Sequence, residues 1–221
     1  MFKATRPTSA PKSAHSKNYN TQEIVDALNE IFHGKCYLCE RADLTDPEIE
    51  HFNPHKDDPI KKYDWLNLYY SCSRCNSIKG AHHVDLLDCC DASINVFSEI
   101  KCLMTATTSG EISVTPGSSA PTKQTTNTIA LLNECYNSSN TGLRGITRSN
   151  MINQLFDLWT DWLTYRKIIV SKSSGTNEIA QAMDKIEPML QIGFPYSVFW
   201  RWHVLEDTML LAKLKHLTLK W

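Results

Sequence analysis

The sequence predicts an α+β chain: a small ββα core stapled by cysteines, followed by a mainly α-helical C-terminal part. Three observations predict it. Cysteines recur as two Cys-x-x-Cys pairs, Cys36/Cys39 and Cys72/Cys75. Between them lie two short runs of strand formers, one through Glu48-Ile-Glu50-His51-Phe and one ending Leu-Tyr-Tyr-Ser-Cys72, bounded by turn residues. Beyond residue 146, apolar residues fall at helical spacing.

The elements follow in order. Residues 1–20 carry Lys3, Arg6, Lys12 and Lys17 with no acidic residue, among Ser, Thr, Asn and Pro, and read as a basic flexible tail, or as an arm that touches phosphate or a partner chain. A helix opens at Asn20, where Glu23 completes a capping box. Its stripe is Ile24, Leu28, Ile31 and Phe32, and Gly34 stops it. Residues 21–104 form the core: a strand through Glu50 and His51 ended by Pro54, a second strand running into Cys72, and a helix opened by Asn76-Ser-Ile-Lys79. Residues 105–128, half of them Ser or Thr, read as a hairpin with a long loop around Glu111–Thr115 and not as a helix. Residues 129–221 read as helices over Ile146–Val170, Thr176–Gln191 and Pro195–Leu217. Trp159, Trp162, Tyr196, Phe199, Trp200 and Trp202 are expected mainly as core, with the last helices also serving as a partner-docking surface.

The totals limit what the chain can do. Its 221 residues are 42% apolar, enough for a real core, and the formal net charge is only −1. A protein that captures nucleic acid alone carries a basic surplus, because affinity comes largely from phosphate neutralisation. That surplus is missing, so any nucleic-acid site is local or assisted. No apolar run reaches the length of a membrane span and the N-terminus has no signal-like apolar region, which predicts a cytoplasmic chain with no membrane role. Cysteines in such a compartment are metal ligands or free thiols.

Each Cys-x-x-Cys turn sets two sulfurs about 3.5–4 Å apart, as two vertices of a tetrahedron around Zn²⁺ require. Two such turns make a closed four-cysteine site for structural zinc, formed by Cys36, Cys39, Cys72 and Cys75. The 32 residues between the pairs exceed a zinc-ribbon interval, so a folded unit sits between them. Cys89, Cys90, Cys102 and Cys135 lack chelating spacing and read as buried thiols.

The run Cys-x-x-Cys, Glu50-His51-x-x-Pro54, Trp65-x-Asn67-Leu, Cys72-x-x-Cys75-Asn76-x-x-Lys79-Gly80 resembles the HNH (His-Me finger) endonucleases over about 45 residues. Glu50 stands where that family more often has Asp. The resemblance implies a metal-dependent hydrolase of phosphodiester bonds in DNA or RNA. Such chemistry needs an activated water, a Lewis acid on the leaving oxygen and positive charge for the transition state. His51 is then the general base, and Glu50 and Asn76 the oxygen ligands of one catalytic Mg²⁺ or Mn²⁺. Asn67 braces the loop beside the base, and Lys79 approaches the phosphate as a point charge. His55 is a possible assistant at the metal or phosphate, while His82 and His83 read as solvated surface. Lys56, Lys61 and Lys62 lie in the inter-strand loop, diluted by Asp57 and Asp58.

More of the chain resembles the PtuB-type HNH effectors of bacterial anti-phage systems of the Septu type and of retrons. The matching pieces are Thr128-Ile-Ala-Leu-Leu-Asn133, Arg144 downstream, and Pro195-Tyr-Ser-x-Phe199-x-Arg201. This implies a toxic effector paired with a PtuA-type ABC ATPase, with DNA or tRNA as substrate and a retron reverse transcriptase and its DNA as further candidate partners. The alternative reading is a zinc-binding adaptor or nucleic-acid-binding module that keeps an inactive HNH scaffold.

Overall fold

The two strands of the core pair, and a helix leaves directly from the second. In the computed structural model, which describes the chain apart from Thr8, Asp46 and residues 106–109, 140–146 and 215–221, β1 (Pro47–His51) and β2 (Leu68–Cys72) are antiparallel. Glu50 stands opposite Tyr69 and His51 opposite Leu68. The helix α1 (Gln22–Ile31) precedes them, and α2 (Pro59–Tyr63) interrupts the connection between the strands. Cys72 is both the last residue of β2 and the N-cap of α3 (Ser73–Lys79), its sulfur accepting from the Cys75 N–H. With no linker between strand and helix, α3 folds back over both strands.

The start of α1 differs from expectation by one residue. Thr21, not Asn20, is the cap, its hydroxyl accepting from the Ile24 N–H at 3.3 Å. Glu23 turns instead to the N-terminal segment and accepts from the N–H groups of Lys12 and Ser13 at 3.1 and 3.0 Å. That segment, expected as a flexible tail, lies against the core. Met1, Phe2 and Ala4 are buried, and the Ala4 N–H donates to the Cys89 carbonyl. Arg6 donates to the carbonyls of Trp65 and Leu68 and lies 4.7 Å from the centre of the Tyr69 ring. Two large apolar side chains at the very start outweigh the polar composition that follows, each contributing about 1.5–3 kcal/mol on burial.

After the short helix α4 (Val96–Glu99), β3 (Ile100–Met104) and β4 (Ile112–Pro116) form the expected hairpin, Met104 opposite Ile112. Its first strand lies before residue 105, and α5 (Lys123–Asn137) begins inside the stretch expected to be loop. The threonines there are satisfied, not solvated. Thr122 caps α5 through the Thr125 N–H, while buried Thr125 and Thr128 donate their hydroxyl protons to Glu99 and to the Gln124 carbonyl, both at 2.8 Å.

The remainder is helical: α6 (Arg148–Val170), α7 (Thr176–Met189), α8 (Ser197–Glu206) and α9 (Thr208–Lys213). Ile146, Arg144 and Leu217 lie outside the described residues. The helix α6 packs on α7 and α9, α5 on β4 and α8 on β3. Trp162 and Trp200 stack at 5.5 Å, and the Trp202 indole donates to the Ile100 carbonyl at 2.9 Å. Tyr196, Phe199, Trp200 and Trp202 are all buried within the chain, so they serve as core and present no docking face. No helix among the described residues is long and apolar enough to cross a membrane.

One buried ion pair joins the cysteine-rich core to α8. Lys35 donates to Glu40 at 3.1 Å, and also to the Phe194 carbonyl and the Ser197 hydroxyl. Ser197 in turn donates to the same Glu40 oxygen at 3.0 Å. Both charged side chains are essentially inaccessible, so each depends on the other. Lys35→Met is expected to cost about 3–5 kcal/mol by stranding a buried carboxylate, whereas the double variant Lys35→Met/Glu40→Leu recovers most of that loss. Urea denaturation midpoints of the three proteins check it.

Candidate active site and cysteine cluster

The cysteine cluster is set by two local turns. The first runs Cys36–Cys39, closed by the Glu40 N–H on the Cys36 carbonyl and leaning on β2 through the Tyr37 N–H to the Tyr70 carbonyl. The second is the β2–α3 junction. All four sulfurs lie within 4.8 Å of one another and are fully buried, with Cys39 and Cys72 3.9 Å apart. A tetrahedron with Zn–S near 2.3 Å has edges of about 3.8 Å, so the four soft donors fit a zinc ion. Burial works to raise the Cys36 thiol, but hydrogen bonds from Cys39, Cys72 and Cys75 hold it well below its ordinary value.

The surroundings also fit. The buried Tyr196 hydroxyl has no hydrogen-bond partner among the described residues, and after burial itself the charge of Cys39 is what most raises its pKa. Cys135 stands against Cys75, whose thiol it raises more than any other group. Sixty residues of intervening sequence hid that neighbour; only the packing of α5 on α3 brings it there.

The residues expected for hydrolysis fall into three groups. His51, at the end of β1, is half-buried, and its Nε2 lies 3.0 Å from the Lys62 carbonyl. A carbonyl only accepts, so Nε2 carries the proton and Nδ1 keeps its lone pair. Nδ1 has no hydrogen-bond partner among the described residues. Burial lowers the His51 pKa below its ordinary value; the hydrogen bond to the Lys62 carbonyl opposes this, while the charges of His55, Lys79 and Lys62 push with burial. Tyr19 and His55 pack edge-on against it at 4.8 and 4.7 Å. His55 Nδ1 accepts from the Asp57 N–H, so its Nε2 is the ring's donor.

Asn67 closes the loop between the strands. Its carbonyl oxygen accepts from the Asn53 N–H at 2.7 Å, and its amide donates to the carbonyls of Asn53 and Lys61 at 2.8 and 2.9 Å. Lys61 precedes the residue whose carbonyl orients His51. The asparagine thus holds the loop at both ends, one residue from the acceptor that sets the imidazole tautomer.

The third group is a ladder between β1 and α3. Alternation puts Glu48 and Glu50 on one face of β1, and α3 sets Asn76 against Glu48 and Lys79 against Glu50. Glu50 is 3% exposed with both oxygens engaged: Tyr37 donates to Oε2 at 2.8 Å and Lys79 to Oε1 at 2.5 Å. Burial raises the Glu50 pKa against the pull of Lys79 and Tyr37. Lys79 is fully buried and also donates to the His51 carbonyl at 3.0 Å. The lysine expected near phosphate is the internal counter-ion of Glu50 and a clamp on the backbone of His51. Glu48, which the sequence reading passed over, is partly exposed. The signal was present in the strand alternation, two residues before Glu50.

The chain is similar to the Septu protein PtuB of Bacillus thuringiensis, at 35% identity over 98 residues that cover 37% of this chain and 38% of that protein. The chain thus matches well under half the length of that curated relative. No protein-family model and no solved structure matches it.

Loss of one sulfur from the cluster should cost the fold and not only a ligand, because the same four residues hold the β2–α3 junction. Cys36→Ser and Cys75→Ser are expected to lose near-UV circular dichroism and a cooperative melt, whereas Cys102→Ser, distant from the cluster in sequence and outside it, retains both.

Proposed function

We propose that this chain is a metal-dependent HNH endonuclease that hydrolyses phosphodiester bonds in DNA or RNA within a Septu-type anti-phage system. The observation that carries the reading is the oriented His51. Its proton is fixed on Nε2 by the Lys62 carbonyl, next in the chain to the Lys61 carbonyl that Asn67 holds, and its Nδ1 has no hydrogen-bond partner among the described residues. A neutral imidazole so held is equipped to take a proton from water. A purely structural histidine has no need of a bracing asparagine.

His51 acts as general base and Asn67 as its positioning residue. Lys79 and Glu50 hold the end of β1 in place from inside, Lys79 through the His51 carbonyl. A hard divalent cation, Mg²⁺ or Mn²⁺, suits the oxygen donors on the ladder. Asn76 offers its carboxamide oxygen. Glu50 was the expected carboxylate partner, but its oxygens are committed to Tyr37 and Lys79, and Glu48 is the carboxylate we assign beside Asn76. When bound, such a cation supplies the Lewis acid for the leaving oxygen.

The similarity to the Septu protein PtuB and the absence of a basic surplus support a second part of the reading: the chain acts with a PtuA-type ABC ATPase, which brings it to nucleic acid. A retron reverse transcriptase with its DNA is a further candidate partner. One observation favours the adaptor alternative, in which the scaffold is catalytically silent: the sealed Glu50–Lys79 pair.

Plasmid and tRNA cleavage with Mg²⁺ or Mn²⁺, with and without the co-purified ATPase, separates the two. His51→Ala is expected to lower cleavage about 10²–10⁴-fold with the fold intact. Equal cleavage by wild type and variant sinks the base assignment, and no cleavage by either under any condition favours the adaptor. The pH profile of kcat/KM gives a second check. Because the His51 pKa is lowered, the base stays unprotonated below the ordinary imidazole value of about 6.5, so the acid limb should fall at lower pH than that. In Asn67→Ala, where the Lys61 carbonyl next to the His51 acceptor is no longer held, kcat should fall with KM little changed.

A further inference from the structure

A second group of ligating side chains lies apart from the four-cysteine cluster. Asp88, Cys89 and Cys90 bring one carboxylate oxygen and two sulfurs within 4.8 Å of one another. We propose that these three residues form a second metal site, open on one side to solvent, that takes a thiophilic divalent cation of the zinc type.

The donors are arranged before any ion arrives. Asp88 Oδ1 accepts from the Tyr69 hydroxyl at 2.5 Å and from the Cys90 N–H at 2.7 Å. These bonds aim the carboxylate and leave Oδ2 to ligate, the support that metal-binding carboxylates commonly have. The Cys89 carbonyl is tied to the N-terminal segment by the Ala4 N–H at 2.9 Å, so the peptide carrying both thiols is fixed from outside as well.

Charge balance points the same way. Two thiolates and a carboxylate carry three negative charges, of which a divalent cation cancels two. Arg6 supplies the third: its guanidinium lies over the Tyr69 ring, it acts electrostatically on both Cys89 and Cys90, and its buried Nε has no hydrogen-bond partner among the described residues. A loaded site would be neutral overall, the condition under which buried ions are tolerated.

The donor set selects the ion. Two sulfurs among three ligands disfavour Mg²⁺ or Ca²⁺ and favour a borderline or soft metal. Cys89 is inaccessible, whereas Asp88 and Cys90 are partly exposed, so a fourth ligand would come from the solvent side. Binding is a proton exchange: the cation forms two metal–sulfur bonds and two thiol protons leave to water, with no redox change. Because the site adjoins both the N-terminal segment and Tyr69 of β2, the ion would clamp that segment to the core.

The test uses the full chain, purified under reductant, loaded with zinc and desalted. Elemental analysis is expected to find about two zinc ions per chain in wild type and about one in Cys90→Ser, the latter with an unchanged cooperative melt. A native-protein measurement needs no variant: alkylation of Cys90, followed by mass spectrometry, should be at least about tenfold slower in zinc-loaded protein than after mild chelation. One zinc in wild type, two in Cys90→Ser, equal alkylation rates, or a Cys89–Cys90 disulfide in the reduced preparation would each overturn the proposal.

Discussion

The ladder between β1 and α3 depends on one junction, the passage from β2 into α3 through Cys72. Because that residue ends a strand, caps a helix and belongs to the four-cysteine cluster, the direction of α3 is fixed at its first residue. The helix then runs alongside β1, and two pairs follow from its course: Asn76 with Glu48 and Lys79 with Glu50. A small rotation of α3 would break both. A short helix has little intrinsic stability, so its orientation must come from what holds its ends. The cluster provides that hold through its two turns, and an ion bound there would add to its energy.

The two buried lysine–carboxylate pairs show how differently one interaction can be used. Glu40 is held below the usual carboxylate range: burial opposes its charge, but Lys35, the N-terminus and Ser197 outweigh it. It therefore contributes stability that is present at neutral pH and lost as pH falls through its lowered pKa. Glu50 goes the other way. Burial dominates, the Cys36 charge adds to it, and Lys79 and Tyr37 compensate only in part. Its raised pKa means a contribution that is full at low pH and lost as pH rises through that value. The first pair braces the fold; the second, beside His51, stores an unfavourable charge where the proposed chemistry is located.

How much of this was legible in the sequence follows from the range of the interactions. The cysteine turns were legible because chelation is encoded by a spacing of three, and the strand through His51 because alternation and Pro54 bound it. The bracing by Asn67 was legible through a resemblance and not through periodicity. What could not be read was the register of α3 over β1. No spacing within one element reveals that Lys79 turns inward to Glu50, or that Glu48 is the carboxylate left near Asn76. The buried Met1 and Phe2 were outvoted by the prolines and serines around them, since composition averages over the residues that matter. Thr125 and Thr128 misled in the opposite sense: a Ser/Thr-rich stretch reads as loop unless each hydroxyl has an acceptor, and these do.

The Lys35–Glu40–Ser197 contact also sets a clock on biosynthesis. Lys35 and Ser197 are 162 residues apart, a separation that takes roughly 8–30 s to translate at typical elongation rates. Through that interval the cysteine turn that carries Glu40 can form, but its buried charge lacks part of its compensation. Local contacts form early and this one forms last, so final packing of the core waits on the arrival of α8. The nascent chain thus passes that interval with the buried Glu40 charge only partly compensated. A chain designed this way commits to its native state late and as a whole.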